Sequence, residues 1–267
     1  MPQAKRPKRI LNCVPSPETE RDWGLANARG AGMLGAARAA LPASADLRRT
    51  WWKVADQGAT GSCVGWATAD SVLRWHFVKA RWIKQSEGLS ARYVWMASKE
   101  TDQYTSAPST FIEVAGTSLK AALDVSRKFG VVRTSVLPFD PGVLYTNEPE
   151  TFYAIAAALK IRSYFNLTLG RRTKLEDWRR WLATNGPILT RLDVDRTWQD
   201  ARATAGKLDQ YRPETARGGH AVAIVGYTPD RFIVRNSWGT GWGDKGFAHA
   251  SLAYAQDAFT EAYGVAV

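Results

Sequence analysis

The chain has 267 residues, 45% of them hydrophobic and 11% aromatic, with twelve Trp. That much apolar mass fills one large domain or two small lobes and excludes global disorder. The formal charge of +11 could suit acidic, nucleic-acid or membrane partners, but no nucleic-acid fold signature accompanies it, so it reads as a solvated surface and nucleic acid is not expected as a partner.

Residues 1–40 differ from the rest. They open on Lys5, Arg6, Lys8 and Arg9, pass through Pro15-Ser-Pro-Glu-Thr-Glu, and end Ala/Gly-rich. This reads as a basic arm or a short pro-segment, with a short helix expected around 33–40. No apolar run follows the N-terminal charges, so neither a secretory signal nor a membrane span is expected. Cys13 and Cys63 are too few for a disulfide scaffold. A reducing compartment follows: the cytoplasm, or export without a secretory signal peptide.

The globular body spans 41–267. Val64, Ala67, Ser71, Val72, Trp75 and Val78 recur at three-to-four spacing and predict a helix from Ser62, as N-cap, to about Trp82. A second helix is predicted over 117–129, stopped by Gly130, and others over 154–159 and 175–184. The last ends at Asn185-Gly-Pro, a breaker cluster. Beyond it the texture changes. Runs at 188–194, 221–227, 232–236, 247–252 and 262–267 are rich in β-formers and separated by turn residues. Helices first and strands later predict an α+β protein.

Cys63 closes a glycine-rich loop, Asp56-Gln-Gly-Ala-Thr-Gly-Ser-Cys63, and opens a helix. Free N–H groups in a first helical turn stabilise an anion, which predicts a lowered thiol pKa and a nucleophile; the competing reading is a small buried hydrophobe. His220 follows Gly218-Gly219, two glycines that let another chain come close, and begins an apolar strand. His has the pKa best suited to proton transfer near neutrality. His76, mid-helix, and His249, in a strand, read as structural. Asn236, at the end of the next strand, can orient the imidazole, and Trp238 can shield that bond from water. Gln57 can donate to a developing oxyanion together with the Cys63 N–H.

Taken together, Gln-x5-Cys, Gly-His-Ala-Val and Asn-Ser-Trp-Gly-x-x-Trp-Gly, in that order, resemble the papain and cathepsin cysteine peptidases, over roughly Leu41 to the C-terminus. The resemblance implies a helical lobe (roughly 56–135) and an antiparallel β-barrel-like lobe (roughly 136–267) with the site in the cleft between them. It implies Cys63 as nucleophile, His220 as acid/base, Asn236 as orienter and Gln57 as oxyanion donor. Gly116 and Thr117 resemble the wall where substrate backbone pairs, with Gly219 and Trp238 completing the binding surface. The implied partner is a polypeptide substrate, with an inhibitor or the chain's own arm as another occupant of the cleft; no cofactor or metal is expected. Two departures stand out. Thr60 takes the place of a disulfide-bonded Cys, and the long pro-domain of secreted members is replaced by about 40 residues. An acyl-transfer or deamidating toxin of similar chemistry, and a binding module retaining the fold, are the competing functions; the first family usually carries Asp as third member.

Overall fold

The computed structural model describes residues 9–34, 40–101, 109–168 and 175–267. The basic run at 171–174 and most of the expected helix around 33–40 lie outside them. Within the described part of the arm an α-helix spans Leu25–Gly30.

Strand β5 (Gly219–Tyr227) is buried at every position because both its faces are covered. Side chains of a strand alternate between faces. Ala221, Ala223 and Val225 enter one core, with Val64, Val72 and Leu123 of the helical side. Val222 and Ile224 enter a second core, built on Trp178, Trp181, Phe232 and Tyr254. Among the described residues the sheet has eight strands in the order β2-β8-β3-β5-β6-β7-β4, with β1 (Ala45–Asp46) pairing to β5. The others are β2 (Ser163–Asn166), β3 (Ile188–Asp193), β4 (Lys207–Leu208), β6 (Arg231–Arg235), β7 (Phe247–Ser251) and β8 (Phe259–Ala266). Every pairing is antiparallel except the short β4–β7 contact. An α+β architecture results, as expected.

The helix predicted from Ser62 to Trp82 runs as one rod from Cys63 to Lys79, with Trp66–Leu73 π-helical and α-helical turns on either side. It stops because Arg81 turns left-handed (φ 65°) and folds Trp82 back onto Phe77, ring centroids 5.2 Å apart. Ser62 precedes the rod but makes no side-chain cap; its hydroxyl pairs with Thr60 Oγ1 at 2.7 Å. The second helix starts at Leu119 rather than 117, because Ser118 is its N-cap, accepting from the Ala121 N–H, and Thr117 stays extended. Gly130 ends it at φ 96°. The helix expected at 154–159 is Pro149–Ala157, launched by proline in its first turn. Its Phe152 and Ala156, with Leu159 and Ile161, bury in the first core. Leu175–Thr184 is helical as predicted. The five predicted strands appear within a few residues of their expected bounds, while β1, β2, β4 and the helix Leu252–Ala258 carry no clear periodic signal. No helix among the described residues is long and apolar enough to cross a membrane.

Candidate active site

The rod delivers Cys63 to the seam between the two cores, where its sulfur meets the N–H of Ala221, the residue after His220; the sulfur and His220 Nδ1 are not hydrogen-bonded to each other. Cys63 is fully buried. Its sulfur is approached by the backbone N–H groups of Cys63 and Val64, as a helix N-terminus provides, and by those of Ala221 and Asn12. The expected lowering of its pKa is nevertheless reversed. Burial outweighs the four donors and pushes the thiol up to about 11.

His220 Nε2 lies 2.8 Å from Asn236 Oδ1. An amide oxygen only accepts, so Nε2 carries the proton and the Nδ1 lone pair is free. Nδ1 has no hydrogen-bond partner, and neither does Asn236 Nδ2. The Ser237 N–H also donates to Asn236 Oδ1, at 2.8 Å, which fixes the amide's orientation. The Trp238 ring lies over the imidazole, with centroids 4.7 Å apart and planes at 34°. Burial holds His220 neutral, down to about 4, against the favourable Asn236 bond, and the Arg9 guanidinium adds to the depression.

Gln57 is buried in the same seam. Its Nε2 donates to Thr60 O at 2.9 Å and its Oε1 accepts from Ser237 Oγ at 2.8 Å, so the side chain ties the Cys63 loop to the Asn236 turn. One of its two amide hydrogens remains for another acceptor. Thr60, standing where a disulfide was missing, donates through Oγ1 to Gln57 O and closes the loop by hydrogen bonds instead.

The other two histidines lie outside this cluster. His76 is buried and held down to about 4 by desolvation. His249 Nε2 sits 3.1 Å from Asp244 on the β7 side.

The arm lies across the cleft. Cys13 N–H donates to Gly219 O at 3.0 Å and Val14 N–H to Thr117 O at 3.1 Å, so one extended stretch bridges the two walls. The approach requires the glycines. A Cβ on Gly116 would sit 2.3 Å from Asn12 O, and one on Gly219 would sit 2.0 Å from Cys13 O. Upstream, Arg9 pairs with Asp56 at 2.5 Å, donates to Gly58 O and Trp238 O, and lies over the Trp238 ring. Downstream, Ser16 N–H donates to Glu261 Oε1, and Lys120 pairs with Asp22 at 2.7 Å.

Three contributors escaped the sequence reading. Trp198 meets His220 edge-on at 5.6 Å and stacks on Trp242 at 4.9 Å. It is anchored by its Nε1 donating to Tyr254 OH, which in turn donates to buried Asp195. A large ring alone in a polar stretch was the only hint. Asn12 and Glu261 gave none, because both act only through the seated arm.

A model for the papain family of cysteine proteases matches residues 41–262. A peptidase C1-like protein of Acanthamoeba polyphaga mimivirus is 27% identical over 76% of this chain and 65% of its own length, so the chain spans less than two thirds of that relative. Xylellain, a cysteine protease from Xylella fastidiosa, superposes with a TM-score of 0.77 at 21% identity, covering 99% of this chain and 98% of that one. The digestive procathepsin L2 of Tenebrio molitor superposes at 0.71 and 19% identity, over 97% of this chain and 78% of its own. At those identities the superpositions speak to the fold, and the family match over most of the sequence speaks to descent: the chain belongs to the papain family of cysteine proteases.

Proposed function

We propose that the protein is a thiol-dependent peptidase, acting through Cys63, His220 and Asn236 with Gln57 at the oxyanion, and latent while its arm is seated. The observation that carries this reading is the His220–Asn236 bond, which leaves a buried, unpartnered Nδ1 base at the seam where Cys63 sits.

When the arm leaves, water re-enters the cleft and the desolvation that keeps Cys63 a thiol is relieved. The proton passes from Sγ to His220 Nδ1, and the thiolate attacks the peptide carbonyl. The tetrahedral oxyanion is held by the Cys63 N–H and the remaining Gln57 amide hydrogen. Collapse breaks the C–N bond, and His220 gives its proton to the departing amine. Water then attacks the thioester, surrendering a proton to His220; the acid leaves and the thiol is restored. Asn236 keeps one tautomer throughout, and Trp238 keeps water from its bond. Both cysteines are free, which fits the reducing compartment proposed for its action.

Incubation of an unfolded protein with the wild type should yield fragments, whereas Cys63→Ala should yield none. An electrophilic thiol probe should label Cys63 and spare Cys13. Undiminished cleavage by Cys63→Ala would end the proposal.

A further inference from the structure

Beyond the nucleophile, on the side away from Gly116 and Thr117, lies a cavity of about 1110 Å³. Its position relative to the nucleophile follows from the arm. The Asn12 N–H points at Cys63 Sγ, Cys13 and Val14 pair with Gly219 and Thr117, and Arg9 to Leu11 run the other way into the cavity. With Gly116 and Thr117 as the wall for residues before the scissile bond, as the family resemblance implies, a substrate runs opposite in direction to the arm and this cavity receives the residues of the leaving amine.

Its floor is apolar and rigid, made of Trp198, Trp238 and Trp242, each packed on the other two. Its wall carries Arg202 and Arg217, both exposed. Among the described residues neither pairs with a carboxylate; the Arg217 guanidinium donates only to the side-chain oxygen of Gln199. Among the described residues lining the cavity the one acid is Asp56, carried by the Gln57 loop and paired to Arg9. An arm that leaves takes Arg9 with it, and two guanidinium groups then face one carboxylate.

We propose that Arg202 and Arg217 select polypeptide substrates with acidic side chains just after the scissile bond. The inference rests on the peptidase reading and adds its substrate class. Guanidinium groups at the rim of an aromatic-floored cleft attract carboxylates and repel ammonium groups, and the field they create is screened by salt. Leu11, Ile10 and Arg9, one to three residues from Asn12, line the cavity beside Arg202 and Arg217, so the second and third residues beyond the bond enter the same space.

The test uses the full chain and internally quenched peptides that are identical up to the scissile bond. They carry Glu-Glu, Ala-Ala or Lys-Lys at the second and third positions after it. A seated arm lowers every rate by the same factor, since only the open fraction binds peptide, so ratios of kcat/KM are unaffected by it. The Glu peptide should exceed the Lys peptide by about tenfold at low salt, and the ratio should shrink in about 1 M NaCl. In Arg202→Gln/Arg217→Gln it should fall to about one. Equal cleavage of all three peptides by the wild type, or a preference that survives the double substitution, overturns the assignment while the peptidase stands. Cleavage of none overturns both.

Discussion

The two halves of the site are held in different ways. His220 is fixed by groups that stay when the arm leaves. Asn236 lies just past β6, the neighbour of β5; Ser237 and Trp238 follow in the same turn, and Trp198 is tied to Tyr254. The surroundings of Cys63 are partly borrowed, since one of its four N–H donors comes from the arm. On the proposed reading the base is therefore built once and the nucleophile twice, as a buried thiol beside the arm and as a solvated one after release, which would make latency a property of the sulfur.

Three experiments can break or sharpen that contrast. The largest effect is expected from Gln57→Ala. It removes an oxyanion donor and also the Thr60 and Ser237 bonds that join the halves. Loss of one such donor lowers kcat by about 10²–10³-fold. Steady-state kinetics should show that fall with KM little changed; a change confined to KM would assign Gln57 to binding alone.

A second effect is electrostatic. With its pKa raised to about 11, Cys63 in the full chain is almost wholly protonated at neutral pH. Only the thiolate is alkylated, so labelling by iodoacetamide should climb about tenfold per pH unit above neutrality and level off only near that value. A plateau near pH 8 would mean that the arm does not desolvate the sulfur.

The smallest effect is expected from Arg9→Ala. The Arg9–Asp56 pair is half exposed on the carboxylate side, so solvent screening limits its worth to about 1 kcal/mol. Release of the arm should become a few-fold more frequent, read as a few-fold rise in peptide hydrolysis. No change would move the hold on the arm to the Gly219 and Thr117 backbone bonds.

Much of this was legible in the sequence. Runs rich in β-formers between turn residues marked the five principal strands, and periodic apolar residues marked the rod that carries Cys63. Cys63, His220 and Asn236 stood out because each sits where an element begins or ends, beside glycines or a Trp-rich turn. The shortest strands stayed hidden, since two or four residues cannot display a period. The Ser62 cap failed for a local reason: its hydroxyl had a nearer partner in Thr60.

The sequence by itself determined the chemical types at the site and the order in which the chain presents them, because those depend on side-chain identity and on contacts between near neighbours. Only the tertiary structure decided the state of the sulfur. Whether Cys63 is depressed by a helix terminus or raised by burial depends on what lies over it. Part of its surroundings is Asn12, some fifty residues upstream, and part is Ala221, far downstream, and no local pattern encodes encounters at those distances.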